Sequence, residues 1–220
     1  MSQILEAEIA KTFLTSLHHA GQHSHPYQHW LMDHCLPEDM VDELIALPFT
    51  PAHIEDTKGR RETNNDTRIH FGEQYRSQHK VMDALARVFQ SQEVVDELKA
   101  ATNAPLAGTS LRIEYCQDTD GFWLEPHTDI GVKKFTMLIY LNREPEGADW
   151  GTDIYSDKDT HVGRAPSGFN AGLIFIPSDK TWHGFERRPM NGVRKSLIIN
   201  YVTQEWRNRH ELCFPEDAIR

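Results

Sequence analysis

Hydrophobic and polar positions divide the chain into a helical first part and a strand-rich second part. In residues 3–19, large apolar side chains recur about every four positions, which predicts an amphipathic helix. A second helix is predicted to begin at Pro37, a residue favoured in the first helical turn, and to end at Pro48. Residues 74–100 are predicted to be helical as well. The intervening residues 57–68 are strongly polar and are predicted to form a loop.

From about Pro105 to residue 204, the chain consists of short runs rich in β-branched and aromatic residues, separated by clusters of turn-forming residues. The predicted strands are residues 28–34 ahead of this region, and 111–115, 133–141, 172–176 and 194–202 within it. Helices followed by several short antiparallel strands are typical of an α+β protein. Its β core is expected to be a sandwich or a jelly roll, with the helices packed outside.

The length of 220 residues is enough for one large domain. We expect residues 1–104 to form a helical segment packed on the core, residues 105–204 the core itself, and residues 205–220 a C-terminal tail. The three cysteines are odd in number and form no C-x-x-C pair, which argues against a disulfide framework and against a cysteine-based zinc site.

Charge and hydropathy narrow the expected partners. The formal net charge is −10, and there is no basic block, so neither nucleic acid nor an anionic membrane is expected as the main partner. The first 20 residues contain charged side chains and no unbroken apolar run, and no stretch approaches 18 apolar residues. Together with the cysteine pattern, this predicts a cytoplasmic protein.

The chain contains 13 histidines, and histidine is the commonest transition-metal ligand. Two of them precede a carboxylate by two positions, in His53-Ile54-Glu55 and His127-Thr128-Asp129. On a strand, two such side chains share a face. Only the second pair is followed by predicted strands and by His183, which suits a third ligand from a strand across the same barrel.

Arg194 and Ser196 share one face of the last predicted strand. An arginine on an inward strand face is costly unless it has an anionic partner. The carboxylate of a bound ligand would suit its planar guanidinium.

The segment from about residue 109 to 203 resembles the iron(II)- and 2-oxoglutarate-dependent oxygenases, especially the prolyl-4-hydroxylase-like group. The matching residues are Tyr115, His127 and Asp129, the run Phe135-Thr136-Met137-Leu138-Ile139-Tyr140-Leu141-Asn142, His183, Arg194 and Ser196. One departure concerns the turn after the Tyr-Leu-Asn strand. Many relatives have Gly-Gly-Glu-Leu there, whereas this chain has Asp149-Trp150-Gly151-Thr152-Asp153-Ile154, in which the second glycine is absent.

The resemblance implies a double-stranded β-helix, or jelly roll, with supporting N-terminal helices. It implies that His127, Asp129 and His183 bind Fe(II) as the catalytic metal, in a facial triad. It also implies that Arg194, helped by Ser196 and the Tyr115 hydroxyl, holds the distal carboxylate of 2-oxoglutarate.

The activity implied by the resemblance is that of a dioxygenase. With O2, and with ascorbate as a supporting reductant, it would convert 2-oxoglutarate to succinate and CO2 and hydroxylate a small metabolite or an amino-acid side chain. Related halogenases have a small residue where this chain has Asp129, which favours hydroxylation. In this family, the region of Arg60, Arg61 and Arg68 can approach the mouth of the active site, which raises the hypothesis of an anionic substrate. The alternative is a cupin-like, metal-binding jelly roll without oxygenase activity, which would need no dicarboxylate anchor.

Overall fold

The structure is a computed structural model, and it describes residues 2–60, 68–143 and 147–220. Its α-helices are α1 (Ser2–His18), α2 (Glu38–Ile45), α3 (Glu73–Gln78), α4 (Lys80–Gln90) and α5 (Gln92–Thr102). Its strands are β1 (Gly21–His23), β2 (His29–Met32), β3 (Arg68–His70), β4 (Ser110–Asp118), β5 (Leu124–His127), β6 (Lys133–Tyr140), β7 (Asp153–Asp157), β8 (Thr160–Arg164), β9 (Gly172–Phe175), β10 (His183–Phe185) and β11 (Arg194–Val202). None of the helices in these ranges combines the length and the apolar character needed to cross a bilayer.

The strands form two antiparallel sheets. The large sheet has seven strands in the order β1-β2-β9-β6-β11-β4-β3, and the small sheet has four in the order β5-β10-β7-β8. Side chains from both sheets line a common inner cavity and an apolar cluster between the sheets. This arrangement confirms the predicted α+β fold with a jelly-roll core.

Alternation along β4 and β11 separates the two faces of the large sheet. Leu197, Ile199 and Tyr201 of β11 point to the outer face, where they pack with the helices in the main apolar core. Phe13 of α1 and Phe89 of α4 lie in the same core, with their ring centroids 4.7 Å apart. The residues between them on β11 therefore face the barrel interior.

The predicted helices α1 and α2 are confirmed, with Pro37 as the N-cap of α2 instead of its first helical residue. The helical character predicted for residues 74–100 is confirmed, and the chain forms three helices there, α3, α4 and α5. The break before α5 is made by Ser91, whose hydroxyl accepts a hydrogen bond from the Val94 backbone N–H. The four strands predicted in the second half and the strand near residue 30 are confirmed.

The polar segment 57–68 lies only partly within the described residues. Arg61, Asn64 and Asn65 of that predicted loop fall outside them. Arg68 is described, and it is not part of a solvated loop: it begins β3, and its side chain is 4% exposed. The short strand β3 pairs with β4, so Arg68 lies beside Cys116 on the inner face of the large sheet.

Candidate metal centre

The structure brings together the three predicted metal ligands. His127, Asp129 and His183 each offer one ligand atom, and these atoms all lie within 4.8 Å of one another. His127 ends β5 and is paired directly with His183 at the start of β10. The third ligand therefore comes from the neighbouring strand, and the prediction of a strand across the barrel is wrong. Asp129 follows the end of β5, so it does not share a strand face with His127 either.

Both imidazoles are oriented by backbone carbonyls. Nδ1 of His127 lies 2.8 Å from the carbonyl oxygen of Glu125, and Nδ1 of His183 lies 2.9 Å from that of Thr181. Because a carbonyl can only accept, each Nδ1 carries the proton and donates it. The lone pair of each neutral ring is then on Nε2, which is the state that a metal ligand requires.

Asp129 is buried and bonded through both carboxylate oxygens. One lies 2.6 Å from the Lys133 ammonium, and the other accepts a hydrogen bond of 2.8 Å from the Thr136 hydroxyl. Burial alone would raise the pKa of Asp129, but the Lys133 charge, the neighbouring His183 and these hydrogen bonds hold it well below its ordinary value. The carboxylate is therefore ionised at neutral pH.

Burial lowers the pKa of His183 to about 4, against the opposing influence of Asp129. Its imidazole is therefore neutral near pH 7. Neutral imidazole and ionised carboxylate are the forms in which two histidines and one carboxylate bind Fe(II). The donor set thus fits Fe(II), the metal that the resemblance implies.

A second group of potential ligands does not make a comparable site. Asp153, His161 and Glu186 lie near one another, but Asp153 is already paired with two guanidinium groups. Arg164 Nε is 2.7 Å from one Asp153 oxygen, and Arg188 binds the other. Two fixed positive charges on the same carboxylate oppose the binding of a cation there.

Two hollows meet at the metal ligands. An inner cavity of about 70 Å³ lies between the sheets, and an outer groove of about 490 Å³ opens on the other side. His127, Asp129 and Lys133 line both. A larger hollow of about 820 Å³ lies beside α1 and β2, but it contains none of the predicted site residues. The chemistry therefore belongs to the two smaller hollows.

Arg194 lines the inner cavity, as the sequence suggested, but the protein already gives it an anionic partner. Its Nη1 donates to Asp118 at 2.7 Å, and its Nε donates to the Trp150 carbonyl at 2.7 Å. Its Nη2 has no bonded acceptor among the described residues, and it can receive a ligand. Ser196 lies two positions further along the same face, with its buried hydroxyl also unbonded within the described ranges.

Tyr115 is not brought to this site. It is fully buried on the outer face of the large sheet, in the core beneath the helices, with its ring centroid 6.0 Å from that of Phe49. The prediction that its hydroxyl helps to hold 2-oxoglutarate is therefore wrong. A tyrosine that does lie in the interior beside Arg194 is Tyr140, which is paired with Ser196 and lies beneath the Arg194 guanidinium. Its hydroxyl donates to Thr152 Oγ1 at 2.9 Å.

Sequence reasoning missed the residues that support the metal ligands and the arginine. Thr136 shares an interior strand face with Leu138 and Tyr140, and this alternation was readable in the sequence. Lys133 reaches Asp129 from the start of β6, where the pairing of β6 with β11 shifts register. Nothing in the sequence indicates that this shift in register occurs. Asp118 ends β4, three residues beyond the end of the strand predicted at 111–115.

No protein-family profile matches the chain, and no curated protein has a similar sequence. Solved structures are similar in fold. A prolyl 4-hydroxylase from Phytophthora capsici superposes with a TM-score of 0.55 at 18% identity, covering 92% of this chain and 65% of that one. A Trichoplax adhaerens prolyl hydroxylase in complex with a peptide of hypoxia inducible factor superposes with a TM-score of 0.57 at 14% identity, covering 92% of both chains.

A Pseudomonas putida prolyl-4-hydroxylase gives a TM-score of 0.53 at 16% identity, over 89% of this chain and 94% of that one. The chain therefore has the jelly-roll fold found in prolyl 4-hydroxylases, as the sequence resemblance implied. It spans about two thirds of the length of the Phytophthora protein.

Proposed function

We propose that the protein is an Fe(II)- and 2-oxoglutarate-dependent oxygenase that hydroxylates a polar small molecule or an amino-acid side chain. One observation carries the proposal. Two oriented imidazoles and one ionised carboxylate meet where an inner cavity containing Arg194 joins an open outer groove. A facial triad with open positions between a co-substrate cavity and a substrate groove is typical of non-haem iron oxygenases.

His127, Asp129 and His183 would hold the iron. Bound iron, 2-oxoglutarate and O2 together supply the oxidising chemistry, in which 2-oxoglutarate becomes succinate and CO2 and the substrate gains a hydroxyl group. The chain's own residues position these groups. Lys133 and Thr136 hold the Asp129 carboxylate in place.

The length of the inner cavity supports a five-carbon dicarboxylate. His183 and Phe185 are two residues apart on β10, roughly 7 Å along a strand. His183 is at the metal end, while the Phe185 ring lies 4.8 Å from the Arg194 guanidinium. Leu124, Leu138 and Ile198 line the cavity. One ligand could therefore reach the metal with one end, meet Arg194 with the other, and pass its methylene groups along an apolar wall.

The outer groove supports a polar substrate. It is lined by Arg60, Glu125, Asn208 and Trp206, whose indole N–H is buried without an acceptor among the described residues. The Trichoplax enzyme is in complex with a peptide, and a side chain presented by a peptide is included in the proposed substrate class. The cupin-like alternative explains the metal ligands but gives no role to the unbonded Arg194 Nη2 at the other end of the cavity.

The proposal is tested by reconstituting the protein anaerobically with Fe(II) and then adding 2-oxoglutarate, ascorbate and O2. We expect succinate release, stimulated by the correct member of a panel of metabolites and peptides. Mass spectrometry should then find a product heavier than the substrate by one oxygen atom. If the iron-loaded protein neither binds 2-oxoglutarate nor releases succinate with any member of the panel, the proposal is wrong and the cupin-like alternative is favoured.

Replacing Arg194 by methionine should weaken the binding of 2-oxoglutarate without changing the binding of the metal. The loss of one charge-assisted hydrogen bond is worth about 1.5–3 kcal/mol, or roughly a ten- to hundred-fold rise in Kd. Calorimetric titration in the presence of Mn(II), a redox-inert substitute, measures this Kd without turnover. Metal affinity should stay at the wild-type value, and an unchanged Kd for 2-oxoglutarate would reject the role of Arg194.

A further inference from the structure

A second arginine, Arg68, lines the inner cavity together with Arg194. We infer that Arg68 is a direct second anchor for the distal carboxylate, which makes this end of the cavity a two-arginine site for dicarboxylic 2-oxo acids. This inference rests on the proposed function and extends it to a residue from the N-terminal segment of the chain. The resemblance places Arg68 only in a segment near the mouth of the active site, and the predicted R-x-S pair does not include it.

One carboxylate holds both guanidinium groups. Arg68 Nη1 lies 3.0 Å from Asp118 Oδ1, and Arg194 Nη1 lies 2.7 Å from Asp118 Oδ2. The two arginine side chains are 4% and 6% exposed, and that of Asp118 is fully buried. Asp118 therefore places both cations at the same point on the inner face of the large sheet.

The charged groups around Asp118 form a balanced network. Glu114, the other carboxylate near Arg68, is hydrogen-bonded to Arg112, and its second oxygen is 3.9 Å from Arg68 Nε, beyond hydrogen-bonding distance. Arg112 also pairs with Glu211, so three guanidinium groups face three carboxylates here. An incoming carboxylate would therefore bind through the N–H donors that this network leaves without an acceptor.

Arg68 also has a donor available. Its buried Nε has no hydrogen-bond acceptor within the described ranges. Its guanidinium lies 5.4 Å from the centroid of the Phe122 ring, and that of Arg194 lies 4.8 Å from the Phe185 ring. These two rings are in contact, with their centroids 5.5 Å apart. The guanidinium groups of Arg68 and Arg194 therefore pack on the same pair of aromatic rings, which holds both close enough to bind one ligand carboxylate.

The test compares two 2-oxo acids of equal length, only one of which has a distal carboxylate. The Kd values of 2-oxoglutarate and 2-oxopentanoate are measured by calorimetry on the full chain with Mn(II). In Arg68→Met we expect the Kd of 2-oxoglutarate to rise at least tenfold, while that of 2-oxopentanoate stays within twofold of wild type. Arg76→Met is the matched control, because Arg76 is a largely buried, ion-paired arginine on α3 outside both hollows. It should leave both constants unchanged.

Two further variants separate direct contact from indirect effects. If Arg68 contacts the ligand, Arg68→Met combined with Arg194→Met should bind 2-oxoglutarate more weakly than Arg194→Met alone. Equal affinities of these two proteins would mean that Arg68 acts only through Arg194 and would overturn the inference. Arg68→Lys keeps the charge and serves if the methionine variant does not fold. The lysine variant supports the inference if the Kd of 2-oxoglutarate alone rises, by threefold or more. It overturns the inference if the Kd of neither ligand rises or if both rise.

Failure of the proposed function gives a different result. Wild-type protein that binds neither oxo acid with Mn(II) would refute the oxygenase proposal and the two-arginine site together. Wild-type protein that binds 2-oxoglutarate tightly, with Arg194→Met weakened and Arg68→Met unchanged, would refute only the role of Arg68.

Discussion

Replacing His183 by alanine is expected to abolish stoichiometric metal binding. The variant keeps His127 and Asp129, but two ligands cannot complete a facial triad, and the Lys133 ammonium 2.6 Å from Asp129 then opposes a weakly held cation. Removing a residue that merely orients a ligand typically costs 10- to 100-fold in metal affinity, so the loss of a ligand should exceed about 100-fold. The measurement is metal content after anaerobic reconstitution and dialysis, together with the Kd for Mn(II). His127→Ala should behave in the same way.

The matched control is His161→Ala, which removes a histidine from the second cluster of potential ligands. It should retain one equivalent of metal, because the Asp153 carboxylate in that cluster is already bound by Arg164 and Arg188. Thermal unfolding without metal shows whether each variant is folded. One equivalent of iron retained by folded His183→Ala, or lost by His161→Ala, would contradict the assignment of the metal centre.

The sequence predicted the long strands well because their patterns are strong. β6 and β11 are each eight or nine residues of mainly β-branched, aromatic and apolar side chains, and both lie in the centre of the large sheet. The short strands β5 and β10 were missed. β5 is Leu-Glu-Pro-His and β10 is His-Gly-Phe, which are too short and too mixed for alternation to be detected. These two strands carry the two histidines of the candidate metal centre.

The clustering of the three candidate ligands could nevertheless be predicted, whereas the position of the tyrosine could not. His127, Asp129 and His183 are recognised by residue type and spacing, which do not depend on knowing how β5 and β10 pair. The role of Tyr115 depends on which face of β4 is inside. That strand alternates between Leu111, Ile113 and Tyr115 on one face and Arg112, Glu114, Cys116 and Asp118 on the other. The usual pattern of apolar residues inside and polar residues outside would place Tyr115 in the barrel interior, whereas the structure places it on the outer face of the sheet.

The reason is that this barrel has a charged interior. The helices cover the outer face of the large sheet, so its apolar side chains belong to the core between helices and sheet. The inner face is free to carry charged groups, and on β4 it carries Arg112, Glu114 and Asp118. Buried charges of this kind need partners, and the partners come from distant parts of the chain: Arg68, Arg194 and Glu211. To predict ion pairs between residues so far apart in the sequence, one must know the register in which three strands pair. A single sequence does not reveal that register.

The turn that follows the Tyr-Leu-Asn strand should depend on its one remaining glycine. A Cβ at Gly151 would lie 1.9 Å from the Ala165 carbonyl oxygen, and this backbone cannot move away freely, because the Ala165 N–H donates to the Thr152 carbonyl at 2.9 Å. Gly151→Ala should therefore lower the free energy of unfolding by about 3 kcal/mol or more, as overpacking against fixed backbone does. It should also weaken 2-oxoglutarate binding, since the neighbouring Trp150 carbonyl accepts the Arg194 Nε–H.

Urea unfolding of the metal-free protein measures the stability change, and Gly163→Ala on the paired strand β8 is the control. A Cβ at Gly163 meets no atom within 4 Å, so that variant should stay within about 0.5 kcal/mol of wild type. Equal stabilities of the two variants would show that the close approach at Gly151 relaxes without loss. A large loss confined to Gly151→Ala would mean that this single glycine has the structural role of the two glycines in the Gly-Gly-Glu-Leu turn of the oxygenases that the sequence resembles. Weaker 2-oxoglutarate binding by the same variant would mean that Arg194 is held in place from this turn, through the Trp150 carbonyl.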